Sequence, residues 1–344
     1  INAEDPNVVN QLAFLKTTPY PAFESGDILS LQAKIAPITY ENYLKGKNVF
    51  LVISEPSNIQ KIAELSTPLA KSKKSLYKIN SALSDTLKKI LPEPASSLAA
   101  GLILGLRADF PEDFNSDLSR AGLTHIIALS GYNVTIIISA LSVVFLPFLG
   151  RRRLLVCGTL LILAFVVMTG GSASVVRASI FSLLILFGKT LGRAGDLTNL
   201  LLATCLTMIL INPNILCFDI GFQLSFLAFC GIIYLAKPLR NLLQKIKLFR
   251  KIPAASSVLS ETLSAQLLTL PAILYYFGII SLVAPLTNLL VLWVIPLSML
   301  LTLISACFGL IALPLGRFFA LFAWLPLEYI VKVVKISARL PMSA

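Results

Sequence analysis

From residue 123 to its end, the chain consists of long apolar segments joined by short polar ones. The whole chain is 56% hydrophobic and only 13% charged, against roughly 25% charged in an ordinary soluble protein. So little polar surface cannot coat a water-soluble globule of this size. The sequence therefore predicts an integral membrane protein that is mainly α-helical, and it excludes the disordered, fibrous and small disulfide-framework classes.

The apolar segments predict a polytopic transmembrane helical bundle with about seven to eight spans. Several segments are at or below the usual minimum of about 17 residues for a spanning helix. Some spans are therefore predicted to be broken or re-entrant. The candidate spans are 123–149, 154–169, 173–188, 196–211, 217–236, 256–277, 282–315 (long enough for a hairpin) and 318–337.

The first 122 residues have a different character, with 13 basic and 13 acidic side chains. Residues 1–65 alternate short polar and apolar runs broken by Gly, Pro and Asn, which predicts a small β-rich domain. Residues 66–122 predict a lysine-rich amphipathic helix and a short apolar helix, SSLAAGLILGL, that is interfacial or re-entrant. The lysine-rich helix either lies on the bilayer surface or packs against the β-rich piece. Residues 123–344 form the membrane domain.

The start of the chain suggests a piece of a longer protein. It begins with Ile1, and the first residues show no basic start followed by an apolar core.

The distribution of Lys and Arg predicts the orientation in the membrane. Basic residues follow the first, third and fifth spans and are absent from the loops after the second, fourth and sixth. Because Lys and Arg concentrate in cytoplasmic loops, we expect a multi-pass protein of the cytoplasmic membrane with residues 1–122 extracellular or periplasmic. The predicted cytoplasmic basic residues are Arg151, Arg152, Arg153, Lys189, Arg193, Lys237, Arg240, Lys245, Lys247, Arg250 and Lys251. For the last six, attraction to anionic lipid is the first interpretation and nucleic acid the second.

Polar side chains inside the spans are the candidates for function, because a charge at mid-bilayer costs a few kcal/mol. Asp219 and Gln223 share one helix face, and Arg177 is expected at a similar depth. This predicts an Arg177–Asp219 ion pair, which could equally serve to hold two helices in register. The residues predicted to line a path are His125, Ser130, Asn133, Arg177, Asp219, Gln223 and Ser225.

Catalytic and metal sites are not expected. His125 and Ser130 would lie roughly 140° apart on a helix, which is unfavourable for a hydrolytic dyad. The chain has one histidine, and its five cysteines lie in apolar stretches without a C-x-x-C. These spacings fit neither a multi-histidine metal site nor a zinc or disulfide framework. We therefore predict no catalytic residues, no metal, no cofactor and no enzymatic activity.

Four stretches between about residues 100 and 290 together resemble the ComEC family of competence proteins. HIIALSGYN resembles the family's histidine-led H-L-L-A-I-S-G-x-x-V, and GGSASVVRASIF its small-residue segment with Arg-Ala. NPNILCFDIGFQLSF and SAQLLTLPAIL, the latter followed by Asn-Leu-Leu, resemble two later motifs, in the same order. Residues 24–55 resemble more loosely the end of the family's OB-like domain. The metallo-β-lactamase-like domain of many members is absent, and Gly-Tyr-Asn stands where Gly-Leu-His is common.

The resemblance implies a membrane channel that carries one DNA strand inward during natural transformation. It implies single-stranded DNA in transit, membrane lipids, other competence proteins and a separate energy source or nuclease as partners, and it leaves oligomerisation open. It assigns His125, Ser130, Arg177, Asp219, Gln223 and Ser225 to the core of the competence domain. Two alternatives stay open: a small-solute transporter with broken helices, and a membrane-embedded hydrolase that uses His125.

Overall fold

The computed structural model describes residues 13–15, 27–37, 49, 51–64, 68–106, 110–127, 153, 155–171, 173–190, 196–278 and 281–340. The described elements are mainly helical, as predicted. They form two compact units, one comprising Ile1–Lys78 with Ala203–Gln223 and the other Ile79–Leu202 with Leu224–Ala344. Five predicted functional residues lie outside the described residues, namely Ser130, Asn133, Arg151, Arg152 and Arg193.

The first unit contains a three-stranded sheet within the segment predicted to be β-rich. Its strands are β1 (Ala13–Leu15), β2 (Asp27–Pro37) and β3 (Leu51–Glu64), in the order β1-β3-β2. β1 pairs parallel with β3, and β2 pairs antiparallel with it from Asp27 opposite Glu64 to Pro37 opposite Leu51. The register shifts three times along β2 and β3, as expected where bulges bend a strand pair.

Four helices precede the membrane-type segments. They are α1 (Pro68–Ile90), α2 (Ala95–Leu104), α3 (Glu112–Arg120) and α4 (Thr124–Ile127). Leu83 and Leu87 of α1 join the buried core of the second unit. The apolar face of this half of α1 is therefore covered by helices. The sequence had suggested the bilayer surface or the β-rich piece instead.

Helix α2 is enclosed by protein along its whole length. All ten of its residues are buried, as expected of a helix that is apolar on every side. The apolar surface that suggested an interfacial or re-entrant helix is thus covered by neighbouring helices of the second unit.

Ten further helices follow in the described residues beyond α4: α5 (Leu155–Met168), α6 (Ala173–Thr190), α7 (Leu197–Ile211), α8 (Ile215–Phe218), α9 (Ile220–Leu243), α10 (Lys247–Lys251), α11 (Pro253–Phe277), α12 (Ala284–Val291), α13 (Ile295–Ile311) and α14 (Leu313–Ala338). Among them, α9 and α11 are long and apolar enough to cross a membrane, and α12 with α13 forms a third such element if the bent pair counts as one span. The apolar helices α2, α5 and α7 are shorter, with 10 to 17 residues.

The predicted hairpin in residues 282–315 is wrong. α12 and α13 are joined at a 52° bend across a short break, Leu292–Val294, so they form one bent element. The close helix pair lies one element later, where the single residue Ala312 separates α13 from α14. Gly309 and Gly316 face each other at that crossing, since a Cβ on Gly316 would lie 2.5 Å from the Gly309 Cα.

The basic segment 237–255, which we predicted as the cytoplasmic loop between the fifth and sixth spans (217–236 and 256–277), is mostly helical. α9 continues through Lys237 and Arg240 to Leu243, and α10 follows after three residues. Lys and Arg have good helix propensity, so the end of an apolar run did not mark the end of the helix.

Beside its apolar core, the second unit buries many small polar side chains and exposes many large apolar ones. Ser256, Ser260 and Ser264 of α11 are fully or almost fully buried, with at most 1% exposed. By contrast, Tyr275 is 83% and Ile311 77% exposed. Small polar residues at close helix contacts and apolar residues on the surface are typical of a bundle surrounded by lipid.

Candidate functional site

Arg177 is buried on α6 and lies against an aromatic ring of α9. Its side chain is 5% exposed, and its Cζ atom lies 5.9 Å from the centroid of the Phe226 ring. An Arg cation within about 6 Å of an aromatic face is attracted to the ring electrons, more strongly when both are removed from water. Because arginine stays protonated in proteins, the structure holds a permanent positive charge inside a helical bundle.

A second aromatic contact continues the α6–α9 interface. Phe181, one turn after Arg177, has its ring centroid 5.5 Å from that of Phe229. Residues 177 and 181 lie on one face of α6, and residues 226 and 229 on one face of α9. The phenylalanines that recur along α9 therefore pack partly against α6.

The opposite face of α6 carries two buried serines that the sequence interpretation missed. Ser179 and Ser182 are 4% and 6% exposed, and the Ser179 Oγ has no hydrogen-bond partner among the described residues. Ser179 lies about 160° around the helix from Arg177. Serine is common in membrane helices as a packing residue, so nothing in the sequence distinguished this one.

A glycine pair determines where α6 begins. Gly170 and Gly171 have φ angles of 75° and 64°, a left-handed conformation that glycine adopts without strain. The Gly171 N–H donates to the Val166 carbonyl at 2.9 Å, which closes the end of α5. The GGSAS stretch thus ends one apolar helix and starts the one that carries Arg177.

Asp219 and Gln223 hold the junction between α8 and α9. The Asp219 carboxylate accepts a hydrogen bond of 2.8 Å from the Phe222 backbone N–H, and Asp219 has an extended backbone conformation. This is the geometry of a helix N-cap. The Gln223 side-chain N–H donates to the Leu216 carbonyl at 2.9 Å and lies 3.3 Å from the Cys217 carbonyl. The motif DIGFQ therefore has a local structural role.

We expect Asp219→Ala to destabilise the protein by about 1 kcal/mol, because it removes the carboxylate that accepts from the first turn of α9. Asp219→Asn should keep most of the stability, since the asparagine oxygen can accept the same bond. Thermal unfolding of the detergent-solubilised protein measures both. Equal losses for the two variants would show that the negative charge matters more than the cap.

His125 is exposed and lies in the single turn of α4. Its position depends on the preceding turn, where Gly122 has a φ of 70° and Leu123 N–H donates to the Leu118 carbonyl at 2.9 Å. The Ser281 hydroxyl donates to the Arg120 carbonyl at 2.6 Å. These contacts fix the segment that leads into HIIALSGYN against the beginning of α12.

The predicted site residues thus fall into separate local environments. Arg177 belongs to the second unit and contacts Phe226. Asp219 and Gln223 belong to the first unit, where each forms a hydrogen bond with the nearby backbone. Ser225 is half-buried on α9. The ion pair between Arg177 and Asp219, and a path lined by these residues, stay predictions.

The predicted cytoplasmic residues whose side chains the structure describes are all exposed. They are Arg153, Lys237, Arg240, Lys245, Lys247, Arg250 and Lys251. The backbone of Lys189 lies at the end of α6.

Comparison with known proteins identifies the family. Residues 102–344 match the family model described as Competence protein. ComE operon protein 3 of Bacillus subtilis (strain 168) is 26% identical over 243 residues, which are 69% of this chain and 29% of that protein. The chain thus spans less than a third of the length of this curated relative. No solved structure matches the chain. Since the family match covers more than half of the sequence, the chain belongs to the competence protein family, as its resemblance to ComEC predicted.

Proposed function

We propose that the chain forms part of a membrane channel that carries incoming DNA, as a single strand, across the cytoplasmic membrane during natural transformation. The observation that carries this proposal is the match of residues 102–344 to the competence protein family. Helices able to cross a membrane support it. In this proposal the channel has seven to eight spans, as predicted from the sequence, and carries an OB-like β-rich piece on the outer side.

The proposal assigns its most specific role, binding of DNA phosphate, to Arg177. A strand of DNA carries one negative charge per nucleotide, and moving it through a bundle requires positive charge or hydrogen-bond donors along the way. Arg177 supplies a charge that burial cannot remove by deprotonation, and Phe226 supports its guanidinium from one side. Such a cation costs free energy in a bundle, so a role in binding phosphate explains why it is there.

The proposed channel has no catalytic or cofactor chemistry of its own. Energy for translocation and any nuclease activity come from partner proteins in this scheme. The exposed basic residues around α10 then lie at the cytoplasmic surface, where they attract anionic lipid.

Replacing Arg177 by glutamine in a competent host tests the proposal. We expect uptake of labelled DNA to fall by about tenfold or more, because a lost charge–phosphate interaction of at least about 1.4 kcal/mol changes a rate or equilibrium tenfold. Arg177→Lys should retain part of the uptake. Ser179→Ala, a change on the opposite face of α6, is the matched control and should leave uptake unchanged.

Membrane levels of each variant are measured by immunoblot. Normal DNA uptake by Arg177→Gln at a normal protein level would remove Arg177 from the transport path. Normal uptake in cells that lack the whole protein would contradict the proposed function itself. Solute flux that does not depend on DNA, or hydrolysis that is lost in His125→Ala, would favour the transporter or the hydrolase.

A further inference from the structure

The first half of α1 is a strongly basic segment with no acidic residue. Residues 68–78, here called the lysine segment, contain Lys71, Lys73, Lys74 and Lys78. Lys71, Lys73 and Lys78 are exposed, and Lys74 is half-buried. The entire lysine segment belongs to the first unit.

Helix stability does not explain these lysines. The first turn of a helix carries a partial positive charge and favours Asp or Glu, yet the first turn of α1 has no acidic residue. Lys71, Lys74 and Lys78 follow one another at spacings of three and four residues, so they repel along one face. The segment therefore gives up helix stability for a local excess of positive charge, which calls for an anionic partner.

Insertion of the helix into a lipid surface does not explain the excess of lysine. A helix that lies in the membrane interface needs a free apolar face beside its lysines. Leu83 and Leu87 of α1 are buried in the protein core, and Leu76 is half-buried. Ile79, which follows the lysine segment, is 46% exposed, and one isoleucine does not make an apolar face. Within the lysine segment the Lys73 ammonium lies 5.9 Å from the centroid of the Tyr77 ring, and Tyr77 is itself half-buried. What the segment offers to a partner is charge.

We infer that the lysine segment binds the phosphate backbone of incoming DNA before the strand enters the membrane domain. The inference rests on the proposed function and extends it to a segment outside the spans. In the proposed topology the segment is extracytoplasmic, where the positive-inside rule does not call for lysine. Lys71 and Lys78 are about 10 Å apart along the helix axis, which is far enough for each to contact a different phosphate of one strand.

The full chain in nanodiscs of neutral phosphatidylcholine provides the test. Binding of a fluorescent oligothymidylate is measured by anisotropy over a range of salt concentrations. We expect Lys71→Gln/Lys78→Gln to weaken binding on the order of tenfold at about 0.1 M salt, and to reduce the slope of log K against log salt by about 1.4, since each lost single-strand phosphate contact removes about 0.7. The charge-retaining Lys71→Arg/Lys78→Arg should bind as the wild type does.

The matched control is Lys88→Gln/Lys89→Gln, which removes the same charge from the other end of the same helix. Binding that is unchanged in Lys71→Gln/Lys78→Gln overturns the inference, and so does an equal loss in both glutamine pairs. A loss that appears only when the nanodiscs contain anionic phosphatidylglycerol also overturns it, because lipid is then the partner. These failures leave the proposed channel standing, whereas DNA uptake in cells that lack the protein contradicts the channel whatever the binding result.

Discussion

Replacing Gly231 by valine is expected to prevent the second unit from folding. A Cβ at this position of α9 would lie 2.3 Å from the Ser264 carbonyl oxygen and 2.9 Å from its carbonyl carbon, both on α11. Backbone atoms of a packed helix cannot rotate away as a side chain can, so the two helices must separate. We estimate a loss of about 3 kcal/mol or more, at the upper end of overpacking.

The yield of detergent-soluble protein and its thermal unfolding measure this effect. Ile232→Val is the control, because it places valine at the next, exposed position of the same helix. A Gly231→Val protein that melts like the control would show that α9 and α11 do not approach this closely. Since α9 also carries Phe226, we expect DNA uptake to be lost together with the fold.

Gly122→Ala is the second large effect, and it can be partly reversed. Gly122 has a φ of 70°, and its Cβ would lie 2.3 Å from the Cβ of Ala284 at the start of α12. The left-handed backbone costs a residue with a side chain roughly 1–2 kcal/mol, and the overpacking adds about 1–3 kcal/mol. We therefore expect a loss of about 2–5 kcal/mol in the free energy of unfolding.

The double variant Gly122→Ala/Ala284→Gly separates the two causes. Removing the Ala284 methyl relieves the short contact but leaves the backbone strain, so its melting temperature should lie between those of the wild type and Gly122→Ala. If the double variant melts at or below the single one, crowding against α12 is not the source of the loss. No equivalent rescue exists for Gly231, because its nearest atoms across the interface belong to the main chain.

Helix positions in the apolar half were predictable where a clear signal marks both ends. The predicted segment 173–188 corresponds to α6, 196–211 to α7 and 256–277 to α11, within three residues at each end. In α6 the signal is the Gly170–Gly171 pair before the helix, and in α11 it is a proline at the first turn and Gly278 with a φ of 68° after the last. These residues act through local backbone conformation, which a sequence displays directly.

The bend between α12 and α13 has a local signal that the sequence interpretation did not use. It falls at Leu292, Trp293 and Val294, and Pro296 follows as the second residue of α13. A continuous helix would place the ring of Pro296 against the Leu292 carbonyl, so a break before this proline is expected. The predicted end of α9 was wrong for the opposite reason. Lys237, Pro238 and Arg240 suggested a loop, but they continue the helix.

The candidate site shows the same division between local and tertiary information. Asp219 just before a helix start already carries the sequence signature of an N-cap, but its place in an apolar segment favoured a channel role. Arg177 was singled out because a charge in a span is costly, and in the structure it is buried, while its role stays a prediction. Its contact with Phe226 depends on the packing of α6 against α9, and the unpartnered Ser179 depends on which face of α6 is covered. Neither follows from spacing along one helix.

The enclosure of α2 has a consequence for how the protein is made. α2 contacts α13 and α14, whose residues leave the ribosome about two hundred positions later. Until the C-terminal helices emerge, α2 therefore has earlier neighbours such as α4 but lacks α13 and α14, so part of this ten-residue apolar helix stays uncovered. The second unit closes only at the end of synthesis, so we expect the early helices to depend on insertion factors or chaperones until then.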